Sequence, residues 1–247
     1  MIASVDESVG RILATLERLG LDENTVVLFS SDNGGVGGYK SAGLAKEGIT
    51  DNAPLKGGKG MLYEGGVRVP YIFRWKGRIQ AGQTNSAVIN SVDLYPTLIE
   101  LAGADAPADY PLDGVSYVSL LTGAKQSRAR DAVYWHFPGY LGAGADQWRT
   151  KPAGAVRSGD WKLIEFFEDG RLELYNLKDD IGEQNNLAGK NPEKVKELGA
   201  KLVAWRTSVG AKMPTPNTVE ADATASKKKN KGKRKMAKRA AVAVSDD

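Results

Sequence analysis

The sequence predicts a chain of the α/β class that ends in a small antiparallel sheet with one helix. Three observations predict it. Apolar residues recur at helical spacing over residues 5–19, and a short run rich in β-branched side chains follows at residues 25–31. Two strand-like runs flank the Asp169–Gly170 pair, as in a β-hairpin. Apolar residues return to helical spacing over residues 195–205. Helix followed by strand favours layered α/β packing in the first half.

The first half begins with a predicted amphipathic helix, in which Ser4 and Glu7 have the spacing of a capping box and Gly20 supplies a stop. The run at residues 25–31 is typical of a strand buried in a parallel sheet, and residues 69–75 predict a second strand. Two strands form a poor sheet. We therefore expect the first half to expose apolar surface and an unpaired strand edge.

The later elements follow in order along the chain. Residues 88–89 form at most a strand fragment, and Asp93 is placed to cap a helix that carries Pro96 in its first turn. The Asn191–Pro192 pair opens the last helix. Between these two helices, strands are predicted over residues 132–137, 155–157, 161–167 and 171–176.

The composition excludes several classes of function. With no cysteine, the chain forms no disulfide, zinc–thiolate site, iron–sulfur cluster or cysteine nucleophile. The single histidine, His136, excludes a His-rich metal site. No apolar run reaches the roughly 18 residues that a membrane-spanning helix needs. With 41% hydrophobic and 26% charged residues, the chain is expected to be globular rather than disordered throughout.

The positive charge is concentrated near the end of the chain. Residues 226–247 hold nine basic and two acidic side chains, a net charge of +7, so the +4 of the whole chain leaves −3 on the remainder. We interpret residues 213–247 as a disordered basic tail that could contact an anionic polymer. The folded part is predicted to comprise an α/β domain over residues 1–125 and an antiparallel sheet plus helix over residues 126–212.

Asp32 and Asn33 directly follow the first predicted strand. Ligands of open α/β sheets gather beyond the carboxyl ends of strands. A carboxylate beside an amide carbonyl offers two hard oxygens, which suit Ca²⁺ or Mg²⁺. Because such a pair also commonly forms a simple turn, the metal site and the turn are alternative interpretations.

A glycine-rich segment at residues 54–60 holds Lys56 and Lys59. Glycines around a lysine leave its ammonium free to meet an anion, and backbone N–H groups can join it. The alternative is a solvated lysine in a flexible loop. The segment is not a Walker loop, because the required Lys and Ser/Thr are absent from its end. Glu64 and Arg68, which follow, are predicted to form an ion pair that orders the loop.

The sequence contains two segments that, occurring together at this spacing, are a highly specific signal of relationship. They are Ser30-Ser-Asp-Asn-Gly-Gly35 and Leu55-Lys-Gly-Gly-Lys-Gly-Met-Leu-Tyr-Glu-Gly-Gly-Val-Arg-Val-Pro70. Shorter segments accompany them: Ser91-Val-Asp-Leu-Tyr-Pro-Thr97, Leu112-Asp-Gly-Val115, Ala155-Val-Arg-Ser-Gly-Asp-Trp-Lys-Leu-Ile164 and Glu173-Leu-Tyr-Asn-Leu177. Together they resemble the type I sulfatases, the formylglycine-dependent arylsulfatases of the alkaline phosphatase-like superfamily. The resemblance covers about residues 1–210 and implies a partial domain of that fold.

The resemblance implies a sulfuric ester hydrolase and assigns roles to individual residues. Asp32 and Asn33 match two Ca²⁺ ligands of the family. Lys59 matches the lysine that contacts the sulfate group and helps to stabilise the charged transition state. The implied substrate is a sulfated carbohydrate or an aryl sulfate ester. His136 lies in a stretch that can meet the substrate in similar sulfatases; the alternative is a structural imidazole packed among its aromatic neighbours.

Other parts of the family's active site are absent from the chain. The formylglycine nucleophile is made from Cys or Ser in a Cys/Ser-x-Pro/Ala-x-Arg signature, and the sequence contains no such pattern. The upstream pair of aspartate ligands and the upstream Lys and His are absent too. We therefore expect a C-terminal portion of a sulfatase with an incomplete Ca²⁺ site. Without the missing N-terminal half, its partner in the domain, we expect no turnover.

Two other functions stay open at this stage. A phosphatase or phosphodiesterase of the same superfamily would use paired metals with several His and Asp ligands, which a single histidine disfavours. A non-catalytic binding module for sulfated or other anionic polymers would use the basic tail, and its binding would weaken steeply with salt. The resemblance to sulfatases also implies a secreted or periplasmic location.

Overall fold

The structure of the chain is a computed structural model that describes residues 1–45, 48–124, 130–142 and 148–216. The chain divides into two units, Met1–Lys212 and Met213–Asp247. Within the second unit, the described residues 213–216 form neither helix nor strand. The basic cluster of residues 226–247, and hence the predicted polymer-binding tail, lies outside the described residues. No helix in the described part of the chain combines the length and the apolar character needed to cross a membrane.

Helix α1, Ile2–Arg18, follows the predicted helical spacing and is followed by Gly20, whose φ of +66° ends it. The predicted capping box is wrong, because the helix begins at Ile2 with Met1 as its N-cap. Ser4 and Glu7 therefore lie inside the helix, where the Ser4 carbonyl accepts a hydrogen bond from the Ser8 hydroxyl. None of the α1 residues is buried, so its apolar stripe faces outward.

Strands β1, Val27–Ser30, and β2, Tyr71–Arg74, pair with each other. The prediction of a buried, parallel arrangement is wrong, because the two strands are antiparallel and Val27 lies opposite Arg74. The chain between them returns as a folded loop rather than as the crossover helix that parallel pairing needs. Phe29 and Ile72 are exposed on this ribbon, which confirms the expected apolar surface.

Three short helices follow in the first half: α2, Glu64–Val67; α3, Leu94–Leu101; and α4, Val118–Leu121. Asp93 is the N-cap residue of α3, as predicted, but its side chain makes no capping hydrogen bond to that helix. Its buried carboxylate instead accepts hydrogen bonds from the backbone N–H groups of Asn90, at 2.7 Å, and Val115, at 2.9 Å. It thereby ties the start of α3 to a distant loop. Residues 88–89 are not part of a strand.

The second half contains a four-stranded antiparallel sheet in the order β3–β6–β7–β8, with a separate two-stranded ribbon, β4–β5. Its helix α5, Pro192–Ser208, confirms the prediction from the Asn191–Pro192 pair. The predicted hairpin around Asp169–Gly170 is also confirmed, since β7 and β8 pair across it. The strands are β3, Val133–Phe137; β4, Leu141–Gly142; β5, Trp148–Thr150; β6, Ala153–Ser158; β7, Trp161–Phe166; and β8, Leu172–Asn176.

Each face of the four-stranded sheet packs against a different partner. On one face, Leu163 and Leu174 are buried against Leu198 and Leu202 of α5. On the other face, a second cluster that includes Ile164 packs against residues 62–63, which follow the lysine–glycine loop. Each fully buried leucine contributes about 1.5–3 kcal/mol. The sheet therefore joins the last helix to the loops of the first half.

A buried group of three charges lies between the sheet and α2. Lys162 of β7 is fully buried, and its Nζ is 2.9 Å from Glu64 Oε1 and 2.9 Å from Glu183 Oε1. The backbone N–H of Glu64 donates to Glu183 Oε2 at 2.7 Å. Although burial alone would raise the pKa of the Glu64 carboxyl, the charges of Lys162 and Arg157 hold it below its ordinary value. Burial raises the pKa of the Glu183 carboxyl, because Lys162 offsets only part of its desolvation.

We predict that Lys162→Met lowers the free energy of unfolding by about 3–5 kcal/mol. The substitution leaves Glu183 buried without its cation and leaves Glu64 with only its longer pairs to two arginines. Urea denaturation followed by circular dichroism measures the change. Lys194→Met is the matched control: its pair with Glu197 is at the surface, so a change of less than about 1 kcal/mol is expected. Equal effects of the two substitutions would contradict a special role for the buried lysine.

We also predict that the exposed stripe of α1 makes the chain self-associate. Ile12, which is 56% exposed, contributes to this stripe, and Ile12→Glu is expected to shift sedimentation-velocity profiles toward the monomer. Val203→Glu on α5 is the control, because that side chain is similarly exposed at 53% but belongs to a helix that already packs on the sheet. Association that Ile12→Glu leaves unchanged would show that another surface is responsible.

Candidate functional site

Two loops from distant parts of the sequence lie against each other beyond the end of β1. The backbone N–H of Lys59 donates to the Gly35 carbonyl at 2.9 Å. The side-chain amide of Asn52 donates to the carbonyls of Gly35, Gly37 and Gly57 at 2.9–3.1 Å. The loop after β1 and the lysine–glycine loop are therefore held together by a backbone hydrogen bond and by the side chain of Asn52, and the side chain of Lys59 takes no part in these bonds.

The glycines of these loops permit the close approach of the two backbones. A Cβ atom on Gly58 would lie 2.0 Å from the Gly37 carbonyl oxygen, and one on Gly34 would lie 1.9 Å from the Gly65 carbonyl oxygen. Both separations are far below van der Waals contact. Packing between the loops therefore requires glycine at positions 34 and 58.

Asp32 and Asn33 immediately follow β1. Asp32 is exposed and Asn33 is half-buried. The Asn33 amide donates to one carboxylate oxygen of Asp32 at 2.6 Å, and the Ser31 hydroxyl donates to the Asn33 carbonyl at 2.8 Å. These bonds form a local turn, which agrees with one of the two interpretations. They still leave a carboxylate oxygen of Asp32 and the amide oxygen of Asn33 without a hydrogen bond in the described part of the chain.

The donor set at this position fits only part of a Ca²⁺ site. The two side-chain oxygens have the right chemistry, but Ca²⁺ takes six to eight oxygen ligands. Among residues 1–45, 48–124, 130–142 and 148–216, no group of three or more His, Cys, Asp or Glu could hold a metal ion. Asp32 and Asn33 could therefore complete a site only together with ligands from elsewhere.

The two lysines of the loop have different environments. Lys56 donates to the Tyr175 hydroxyl at 3.3 Å and to the Glu183 carbonyl at 3.1 Å, and its Nζ lies 4.4 Å from the centre of the Tyr63 ring. Its role is structural. Lys59 is exposed, and its ammonium has no hydrogen-bond or ion-pair partner among the described residues. Lys59 is thus the cation of this loop that is available to an anion.

The segment that follows the lysines is fixed by ion pairs. The predicted pair between Glu64 and Arg68 is confirmed at 3.7 Å. The closer contact of Glu64, at 2.9 Å, is with Lys162, and the sequence offered no signal for this partner. Tyr63 donates to Glu173 at 2.8 Å, and burial together with the Glu173 charge raises the pKa of the Tyr63 hydroxyl. The loop is therefore ordered by the second half of the chain.

His136 lies on β3, on the face of the sheet that carries α5. Tyr134, two residues earlier on the same face, stacks on Trp205 of α5 with ring centres 4.9 Å apart. His136 Nε2 is 2.8 Å from the Lys212 carbonyl oxygen, and its ring centre is 5.5 Å from that of Phe167. The Lys59 loop packs on the opposite face, so the structure does not bring His136 and Lys59 together. Substrate contact by His136 stays a prediction, and these contacts favour the structural interpretation.

The loops described above fall within regions that match known protein families. Residues 1–104 match the family model described as "Sulfatase". Residues 58–208, which include the lysine–glycine loop and the four-stranded sheet, match the model described as "N-sulphoglucosamine sulphohydrolase, C-terminal". The chain belongs to the sulfatase family. Both candidate loops of this sulfatase chain, and the sheet that supports them, lie within the matched residues.

Named sulfatases are similar to the chain over most of its length. A "Sulfatase" of Formosa agariphila is 38% identical over 81% of this chain and 38% of its own length. An "N-acetylglucosamine-6-O-sulfatase" of Bacteroides thetaiotaomicron is 34% identical over 80% of this chain and 33% of its own length. The chain thus spans about two fifths or less of the length of these relatives.

A solved structure supports the same fold assignment. It is a complex of a protein with its substrate D-glucosamine-2-N,6-O-disulfate, and it matches with 31% identity and a TM-score of 0.68. The match covers 87% of this chain and 41% of the other. The α/β part and the sheet-plus-helix part of this sulfatase chain are therefore a partial alkaline phosphatase-like fold, as the sequence predicted.

We predict that Gly58→Ala lowers the free energy of unfolding by about 1–3 kcal/mol, because its Cβ would collide with the Gly37 carbonyl. Chemical denaturation measures the change. In Gly189→Ala, the matched control, the new Cβ meets nothing within 4 Å, so a change within about 0.5 kcal/mol is expected. A Gly58→Ala protein as stable as the control would contradict the close packing of the two loops.

Proposed function

We propose that the chain supplies part of the active site of a sulfuric ester hydrolase. The observation that carries the proposal is the bond between the Lys59 backbone and Gly35, at 2.9 Å. It holds the lysine loop against the loop that begins with Asp32 and Asn33, while the Lys59 ammonium keeps its exposure. Family membership supports the proposal, and the remaining catalytic residues would come from a segment that this chain does not contain.

Lys59 would bind and stabilise the negatively charged sulfate group. A cation held near a transferring group stabilises the charge that develops there. Because backbone bonds fix the loop, the lysine needs little reorganisation when the group arrives. Lys59 is thus proposed as both a substrate-binding and a catalytic residue.

Asp32 and Asn33 are proposed as two ligands of Ca²⁺. When bound, the ion supplies Lewis-acid polarisation of an oxygen on the sulfate group. The free oxygens of Asp32 and Asn33, one from each side chain, support this role. Since two ligands fall short of the six to eight that Ca²⁺ takes, we propose that this chain alone binds the ion weakly.

The proposed substrate is a sulfated carbohydrate. Two similar proteins support it: the N-acetylglucosamine-6-O-sulfatase and the protein solved with glucosamine-2-N,6-O-disulfate. An aryl sulfate is the other substrate class that the resemblance implies, and direct assay separates the two. A secreted or periplasmic location is proposed from family membership alone. The non-catalytic alternative, a polymer-binding module, depends on the basic tail outside the described residues and stays a prediction.

We propose that the chain alone has no turnover, because it contains neither cysteine nor a serine in the formylglycine signature. The apolar faces of α1 and of the β1–β2 ribbon support the need for a further segment. Ile12 and Ile72 are both more than half exposed there, as expected of surfaces that pack against the rest of a catalytic domain. That further segment of the domain is the proposed partner.

The test is a chimera in which the upstream part of the 38%-identical Formosa agariphila sulfatase precedes this chain, expressed with formylglycine-generating activity. We expect the chimera to hydrolyse glucosamine 6-O-sulfate and the isolated chain to show no turnover. In the chimera, Lys59→Ala is expected to lower kcat by about 100- to 1,000-fold, which is typical for loss of one transition-state donor.

Lys190→Ala is the matched control, because that lysine is exposed just before α5, the helix that packs on the face of the sheet opposite the two loops. Its activity should equal that of the unsubstituted chimera. A folded chimera that carries formylglycine and hydrolyses no sulfate ester would contradict the proposed function. Full activity of the Lys59→Ala chimera would contradict the role of the lysine. Hydrolysis of 4-nitrophenyl sulfate without that of the sugar would favour the aryl class.

A further inference from the structure

A cavity of about 170 Å³ lies beside the lysine loop, between that loop and the sheet. Ile164 and Phe166 of β7 form part of its apolar wall, and residues 61–63 form another part. Strand β5 contributes Trp148, Arg149 and Thr150. Trp148 is 41% exposed, so an aromatic ring borders the cavity at the protein surface. Such a ring is suited to the apolar face of a sugar.

Three basic side chains line the cavity, and two of them are neutralised. Lys151 pairs with Glu168 at 2.8 Å, and Arg171 pairs with Glu173. Arg149 is half-buried, and in the described part of the chain no carboxylate pairs with it. Its guanidinium donates to the Tyr39 hydroxyl at 3.3 Å and lies 5.5 Å from the centre of that ring. An arginine has five N–H donors, so most of them remain for a ligand.

Thr150 gives a second, independent indication of a ligand at this cavity. Its residue is 7% exposed, and its hydroxyl is buried without a hydrogen-bond partner among the described residues. Buried polar groups are nearly always hydrogen-bonded. Thr150 and Arg149 both line the cavity. Among the described residues, neither a partner for the hydroxyl nor a carboxylate for the guanidinium is supplied there, as expected of a pocket that takes a polar, negatively charged group.

Tyr39 connects the cavity to the proposed active site. The Tyr39 hydroxyl accepts from Arg149 and donates to the Lys59 carbonyl, at 3.4 Å. Two hydrogen bonds therefore link Arg149, through Tyr39, to the backbone of Lys59. Residues 61–63, which line the cavity, begin two positions after Lys59. The wall of the cavity and the backbone of Lys59 therefore belong to one continuous stretch of chain, although Lys59 itself does not line the cavity.

We propose that this cavity binds a second anionic substituent, a sulfate or a carboxylate, of the same sulfated carbohydrate. Arg149 is the principal residue, since its planar guanidinium binds such oxyanions through paired hydrogen bonds. Thr150 contributes a hydroxyl donor, and Trp148 contacts the sugar ring. The choice of carbohydrate rests on the proposed function, whereas the anion site rests on the contacts of Arg149 and Thr150 alone. The substrate class is therefore a sugar with two negative groups.

The test compares the binding of glucosamine-2-N,6-O-disulfate and of glucosamine 6-O-sulfate to the full chain, with tryptophan fluorescence as the readout. The cavity is built from residues of this chain, so binding is expected without any added segment. We expect the disulfate to bind at least about ten-fold more tightly than glucosamine 6-O-sulfate, because one hydrogen-bonded contact with a charged group contributes an affinity difference of this order. Arg149→Ala should remove this preference, and Trp148→Phe should remove most of the signal.

Two further variants keep the result interpretable. Arg149→Lys keeps the charge but loses the paired geometry, so a reduced preference for the disulfate is expected even if Arg149→Ala fails to fold. Arg78→Ala is the matched control, because Arg78 is an exposed arginine on Trp75, and its preference should be unchanged. The basic tail is the same in every variant and so cannot produce a difference between them.

The inference is overturned if the disulfate does not bind to the full chain, or if the Arg149 variants keep the preference. Neither result touches the proposed function, which is measured by hydrolysis in the chimera. Conversely, the chimera could fail to hydrolyse sulfate esters while the preference for the disulfate still depends on Arg149. That result would support the anion site and contradict the sulfatase activity. Each of the two proposals can therefore be contradicted without the other.

Discussion

The ammonium of Lys162 is the contact on which the arrangement of this chain depends. It lies between Glu64, which follows the lysine loop, and Glu183, which follows the sheet, at 2.9 Å from each. A buried ion group of this kind adds little net stability, because desolvation offsets most of the attraction. It does penalise any displacement that separates the charges. The position of the Lys59 loop on the sheet is therefore fixed by electrostatics rather than by the loop's own sequence.

A second constraint, close packing between backbones, determines which side chains stay available. The two loops are joined by carbonyl and amide groups, and glycines such as Gly58 make the approach possible. The ammonium of Lys56 donates to Tyr175 and Glu183, whereas Lys59 bonds to the other loop only through its backbone. The site thus fixes the backbone of Lys59 and leaves its ammonium unpaired among the described residues, which suits the binding of an anion.

Local patterns predicted local structure well and long-range structure poorly. The β7–β8 hairpin, α5 and the family motifs depend on neighbouring residues, and the sequence identified them. The direction of β1 against β2 depends on a loop of about forty residues between them, which no periodicity describes. The different environments of Lys56 and Lys59, three residues apart, depend on partners more than a hundred residues away. Arg149 belongs to no sequence motif, because its proposed role depends on the lack of a carboxylate partner among the described residues, which only the structure reveals.

The core is distributed unevenly, and this bears on how the site works. Among the described residues, eleven of the fourteen buried hydrophobic side chains come from Val133 onward, and only Tyr39, Met61 and Tyr117 precede it. The loops with the candidate chemistry thus belong to the half with the smaller core. Well-packed segments open last and poorly packed ones first. The second half therefore acts as the rigid support for the loops of the first half, in which α1 and the β1–β2 ribbon still expose apolar side chains that a further segment would cover.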